Sequence, residues 1–358
     1  MHITEGIITG SAALIYTGAG VALVGVGASR MKKFVRDFPE KKPLLGMGGA
    51  LIFFMSLIPI PAFTGTCSHP CGTPLVAILL GPWVGIALTG VSLLLQAAFF
   101  AHGGFGTWGA NVVALGFFGC MFGWGSFKLA RKLGLPLWAA GFAGGLMGDI
   151  MVYLASGLIL GSVLSTAPNP QFSMVGYVLA IYAAYLPTQL PIALGEMLIT
   201  GMALQYACNQ RPDVLEELGI IRGAKAAQSR NLPVVILLPL LAAWSLMAPP
   251  AGFAEDGKGQ QPPALPISSN EASESLSKFS GMDEAVNEKF AEDAGRPARD
   301  PYINTEAMGD LWNLLLLSAG AICGFILGRW WHLLWGDPGK RDHHKKSSLE
   351  SLDHGPSR

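Results

Sequence analysis

The first two residues, Met1-His2, offer three nitrogens in succession: the free α-amine, the amide of residue 2 and the imidazole of His2. Together they can close two fused chelate rings around one ion. An α-amine has a reference pKa of about 7.7–8 and gives way to a metal near neutral pH, and imidazole suits cobalt, nickel and copper. A nitrogen-rich planar set favours such late first-row ions over magnesium or calcium. Any chain can begin Met-His, so the pair alone decides nothing. A second histidine of interest, His69, lies in Thr64-Gly-Thr-Cys-Ser-His-Pro-Cys-Gly72. This stretch reads equally as a Gly/Pro turn whose hydroxyls satisfy backbone groups. Cys67 and Cys71 bracket His69. Thiolates there would favour copper(I) or zinc and would release cobalt slowly, and a disulfide between them is conceivable outside the cytoplasm. Ser68, Gln96, His102 and Asn111 are candidates to hydrogen-bond and orient the ligating groups. Asp149 and Glu196 are the acidic residues deep within apolar runs, and intramembrane carboxylates are functional candidates by default.

The elements that must position these groups are membrane spans. Hydrophobic residues make up 51% and charged residues 13% of the 358, about half the charge of a soluble enzyme. No Lys or Arg occurs between residues 43 and 127, or between 133 and 210. Apolar runs at about 8–28, 44–59, 74–99, 110–127, 135–163, 174–208, 232–252 and 309–334 approach or exceed the roughly 20 residues of a spanning helix. The 24 basic residues equal the 24 acidic ones and form no basic face, which argues against nucleic acid as a partner. The start lacks the positive n-region of a signal peptide, so the first run is expected to be a retained helix.

The basic residues fall in short segments at 30–42, 128–132, 211–230 and from Arg329 onward, which the positive-inside rule assigns to the cytoplasm. Segment 255–308 has eleven acids against five bases and is expected outside, as is Met1. An even number of passes must then separate Lys42 from Lys128. Breaking 74–99 at Leu80-Gly81-Pro82 supplies it, giving a short inward element and an outward helix from Trp83. Such half-length elements survive where protein covers the freed backbone groups. Pro187 and Pro191 are expected to kink the run 174–208. The expected architecture is an all-α integral membrane protein: a seven-element helical bundle at 1–208, a cytoplasmic connector at 209–231, and a two-helix hairpin at 232–335. A mostly extended outer loop at 253–308 and a cytoplasmic tail at 336–358 complete it. Gly141, Gly144, Gly145 and Gly148 read as a close-packing helix face.

Several strings occur in a telling order: Met1-His-Ile-Thr-Glu-Gly6, Thr64 to Gly72, Leu79-Leu-Gly-Pro-Trp83, Leu95-Gln96, His102-Gly-Gly104, Gly109-Ala-Asn111 and Pro191-Ile-Ala-Leu-Gly-Glu196. They resemble the cobalt/nickel energy-coupling-factor (ECF) capture components of the CbiM/NikM type, over residues 1 to about 215. Residues 232–335 are similar, more loosely, to the two-helix CbiN/NikN companion of those transporters, here fused to the bundle. The resemblance implies the S-component fold and an ion held by Met1, His2 and His69. It also implies a separate membrane coupling (T) protein and cytoplasmic ABC-type ATPases, in the inner or plasma membrane of a prokaryote. The Cys-Ser-His-Pro loop is closer to the cobalt branch. Ile7-Ile8-Thr9 and Cys71 depart from the commonest pattern.

The implied cargo is Co(2+), alternatively Ni(2+), with no permanent cofactor and no enzymatic activity. The chain lacks a Gly-x-x-x-x-Gly-Lys-Ser/Thr loop, since Gly336-Asp-Pro-Gly-Lys340 has the wrong spacing. Two distant alternatives are a stand-alone secondary transporter and a membrane thiol oxidoreductase using Cys67 and Cys71. The first would show inverted repeats, and the Cys-x-x-x-Cys spacing disfavours the second. A chain ending near Arg230 is expected to fold and keep Met1, His2 and His69 in place, yet load metal much more slowly.

Overall fold

The computed structural model describes residues 2–57, 60–61, 66–100, 102–221, 280–281, 283–299 and 318. Met1, the connector beyond Ile221, both helices of the expected hairpin and the tail lie outside the described residues.

Helix α1 (Gly10–Asp37) is followed by α2 (Lys42–Met55), α3 (Thr73–Leu80) and α4 (Pro82–Phe99). A short α5 (Trp108–Asn111) passes through a π-helical stretch, Val112–Gly119, into α6 (Cys120–Lys132). Then come α7 (Leu137–Leu164), α8 (Met174–Gln210) and α9 (Pro212–Glu217). Among the described residues five helices are long and apolar enough to cross a membrane: Gly10–Asp37, Pro82–Phe99, Trp108–Lys132, Leu137–Leu164 and Met174–Gln210. With the shorter α2 and α3 they make the seven-element bundle, an all-α integral membrane fold. Strand structure among the described residues is confined to three short strands, β1 (Ile60–Pro61), β2 (Thr66–Ser68) and β3 (Ser280–Gly281), in that spatial order.

The break between α3 and α4 falls at Gly81, whose φ of +90° is left-handed territory that a side chain would strain. Pro82 then opens α4 at a position where no backbone N–H is needed. Helix α3 is only 8 residues long, and seven of them are buried, so protein rather than lipid surrounds this half-length element. Its floor is the glycine face of α7. A Cβ at Gly148 would strike Pro74, and one at Gly145 would lie 2.6 Å from the Glu196 carbonyl oxygen on α8. These glycines bring three helices into backbone contact. Helix α8 continues through Pro187 and Pro191 as one element of 37 residues.

The outward face of α1 carries exposed Leu14, Ile15, Val21 and Val26, while Gly20 and Gly27 press against Gly109 and Trp83. A helix apolar on its free side belongs in a nonpolar solvent. At 28 residues α1 is roughly 42 Å long. Lys41, just beyond its C-terminal end, forms an ion pair with Glu217 of α9 and so marks one end of the bundle. Residues 2–8, before its N-terminus, mark the other.

Within the expected outer loop 253–308, the described residues 283–299 are not extended throughout. A π-helical turn, Asp283–Glu288, runs into α10 (Lys289–Asp293), and Ala291 and Ala294 are fully buried. Small side chains give no periodic apolar signal, yet here they let the segment sit close on the bundle. Tyr185 OH donates to Asn287 Oδ1, Asn169 N donates to the Ala294 carbonyl, and Phe290 meets Tyr177 edge-on. β3 pairs in parallel with β2, placing Gly281 opposite Cys67.

Candidate metal centre

Residues 2–8 form a plug rather than a free tail: His2, Ile3, Ile7 and Ile8 are buried. The backbone of Ile3 is gripped on both sides. Asn111 Oδ1 accepts from Ile3 N at 2.8 Å, while Asn111 Nδ2 and Thr107 Oγ1 donate to Ile3 O at 3.1 and 2.7 Å. Glu5 Oε2 accepts from Gly106 N at 2.7 Å, and Glu5 O accepts from Arg299 N at 2.9 Å. The turn after α4 can approach this plug because it is glycine-rich. Gly103 has a φ of +79°, and a side chain at Gly104 would overlap Glu5. Asn111 thus fixes the residue following His2 rather than an imidazole.

The fixed plug delivers His2 to His69, at the entry to α3, and to His102, in the turn after α4. Ligand atoms of all three imidazoles lie within 4.8 Å of one another. Ring centroids are 4.1 Å apart for His2 and His102, 4.9 Å for His2 and His69, and 5.4 Å for His69 and His102. His2 and His69 are buried and His102 partly so. Burial drives the pKa of His2 well below the ordinary imidazole value, helped by His102 and His69, while the Gln96 carboxamide beside it pulls weakly the other way. His69 is lowered in the same sense, again chiefly by burial. Both rings are therefore held neutral, the state in which imidazole binds a metal.

Among the described residues neither ring nitrogen of the buried His2 has a hydrogen-bond partner, nor has Gln96 Oε1. Gln96 Nε2 is held by the Phe53 carbonyl and Ser56 Oγ at 3.1 and 2.6 Å, which aims the carboxamide. Buried polar atoms left unpaired cost about 1–3 kcal/mol each, so their concentration around one ring marks a place where a ligand completes the bonding.

Ser68 turns away from the imidazoles. Its Oγ lies 3.0 Å from Tyr153 OH and donates to Gln189 Oε1 at 3.3 Å. Gln189 Nε2 in turn donates to Asp149 Oδ2 at 3.0 Å, and Cys71 Sγ donates to Asp149 Oδ1 at 3.6 Å. Glu196 accepts from Cys71 N and Gly72 N at 2.9 and 3.0 Å, capping the turn that leads into α3. Sequence reasoning named both carboxylates as functional candidates without choosing a role; here Asp149 and Glu196 bond to the loop that carries His69. Cys71 is a free, buried thiol whose pKa is pushed well above its usual value by burial and then by Asp149. That disfavours both thiolate ligation and thiol redox chemistry at this position. The Cys67 side chain lies outside the described residues. Ser68 and His102 are thus placed differently from the orienting role expected of both: the first faces another network, the second joins the imidazoles.

Bundle and pocket together define a class, the polytopic helical membrane proteins with a histidine cluster at one end. The family described as CbiM, the cobalt uptake substrate-specific transmembrane region, matches residues 2–214. A cobalt transport protein CbiM of Geobacter sulfurreducens is 38% identical over 347 residues, covering 96% of this chain and 92% of that one. A second, from Sorangium cellulosum, is 37% identical over 228 residues and is matched along its whole length by 63% of this chain. Two crystal structures of transition metal transporters superpose at a TM-score of 0.50, with 26% and 27% identity over 58% of this chain and 99% and 93% of theirs. The chain belongs to the CbiM family.

Proposed function

We propose that this chain is the substrate-specific subunit of an ATP-driven ECF importer, and that it captures Co(2+) from the extracytoplasmic side. The donors are the Met1 α-amine, His2 and His69. The observation that carries this reading is the meeting of His2 and His69, 67 residues apart in sequence, in a pocket where both His2 ring nitrogens lack partners among the described residues. The relatives named as cobalt transport proteins support cobalt as the cargo. Nickel(II) accepts the same nitrogen set and is the second reading.

The orientation that fits places the imidazole end outside and the Lys41–Glu217 end in the cytoplasm, as the positive-inside rule asks. The C-terminus is then cytoplasmic too. Energy comes from partners, a membrane coupling protein and ABC-type ATPases, because this chain has no phosphate-binding loop. Residues 232–335 act as the companion-like hairpin. Contacts of 283–299 with Glu5, Asn169 and Tyr185 support a loading role for its outer loop.

The deciding experiment is cobalt titration of the purified full-length protein with and without one residue added before Met1. The addition turns the α-amine into an amide and displaces the chelate, so affinity is expected to fall by more than about 100-fold, beyond the 10–100-fold typical of losing an outer partner. Full binding by the extended protein sinks the site. Competition between the two ions in the same titration decides cobalt against nickel.

A further inference from the structure

His102 does not occupy the position of a group that merely orients another ligand. The Nδ1 of His69 faces the Pro70 carbonyl oxygen at 3.4 Å, and because a carbonyl only accepts, the tautomer that uses this contact has its proton on Nδ1 and its lone pair on Nε2. That same Nε2 faces His102 Nε2 at 3.4 Å. An orienting partner would contact the far nitrogen, Nδ1, and leave Nε2 to the ion. The spacing also fits a second arrangement. Two imidazole nitrogens bound at about 2.1 Å to neighbouring vertices around one ion are roughly 3.0–3.4 Å apart. The backbone holds His102 there: its N–H donates to the Gln96 carbonyl at 3.3 Å. The left-handed Gly103 that follows lies against the His2 side chain.

We propose that His102 is a third imidazole ligand of the transported ion, standing outside the plane of the amino-terminal chelate, and that it biases the site toward cobalt(II) over nickel(II). This deepens the capture reading and rests on it. The α-amine, the residue-2 amide and the His2 ring fill three corners of a plane, and His69 can fill the fourth. A further nitrogen adjacent to His69 then approaches from the apex. Planar nitrogen sets suit nickel(II) and copper(II), whereas an apical donor rewards an ion that readily takes a higher coordination number.

The test uses the full-length protein loaded with cobalt alone or nickel alone, read by X-ray absorption fine structure and by titration. Wild type is expected to show three imidazoles around cobalt, and His102→Gln two. In that variant the cobalt Kd should rise about 100-fold and the nickel Kd by about tenfold less, so that preference for cobalt falls about tenfold. Two imidazoles in wild type, or equal weakening of both ions in the variant, overturns the proposal. The wild-type count stands whether or not the variant folds. Wild type that binds neither ion overturns the capture reading itself.

Discussion

Two clusters of buried polar groups meet at the entry to α3, and they are held in opposite ways. In the lower one Glu196, Asp149, Gln189, Ser68 and Tyr153 satisfy one another or cap the Cys71-Gly72 turn. In the upper one His2 brings two ring nitrogens, and Gln96 an oxygen, that have no hydrogen-bond partner among the described residues. The difference separates support from site. A satisfied network rigidifies, whereas an unsatisfied one persists because something else completes it.

His69→Ala tests the division most severely. It should reduce cobalt affinity by more than about 100-fold while leaving the melting temperature close to wild type, because one turn residue carries little of the packing. Normal binding by that variant would return the Thr64 to Gly72 turn to a structural role. Glu196→Ala is the mirror image. It strands two buried N–H donors and should cost about 2–4 kcal/mol of stability, seen as a lowered thermal midpoint, with a smaller loss of affinity. Lost binding at unchanged stability would erase the boundary between the clusters.

A pH series gives a smaller effect. His2 and His69 have depressed pKa values in the fold, so the unfolded chain binds more protons once pH drops below about 6.5. Above that value both states hold neutral rings and no stability is at stake. Melting at pH 5.5 should therefore fall below melting at pH 7.5, and bound cobalt should narrow the gap by occupying the rings in the folded state alone. A gap unaffected by cobalt would mean that the ion does not sit on these rings. The mildest change is removal of residues 231–358. The shortened protein should reach the same cobalt occupancy more slowly in a stopped-flow or uptake time course, and equal rates would make the C-terminal region dispensable for loading.

Much of the fold was legible because its signals are local. Leu80-Gly81-Pro82 announced the break between α3 and α4 through a left-handed glycine and an N-terminal proline. The stretches free of Lys and Arg delimited most of the long helices. His2 and His69 were singled out by the type of chemistry they offer. The rest depended on distance in space. His102 looked like an outlying helper, since nothing in the sequence reveals that the turn at Gly103 folds back onto residue 2. The π-helical stretch Val112–Gly119 has the composition of any apolar helix. The helix around Ala291 relies on small side chains fitting a surface made elsewhere, which no periodicity records. Ser68 was placed with His69 because it is its neighbour in sequence, but its hydroxyl faces Tyr153 and Gln189 instead.

The grip of Asn111 on Ile3 spans 108 residues, and this sets a clock on biosynthesis. At a synthesis rate of about 5–20 residues per second, roughly 5–20 s pass before the residue that anchors the plug is made. For most of that interval neither His69 nor His102 has been made, and the residues that anchor the plug, Gly106, Thr107 and Asn111, come only at its end. The nascent chain therefore lacks the anchored pocket until α1 to α4 and the turn at Gly103 have been made.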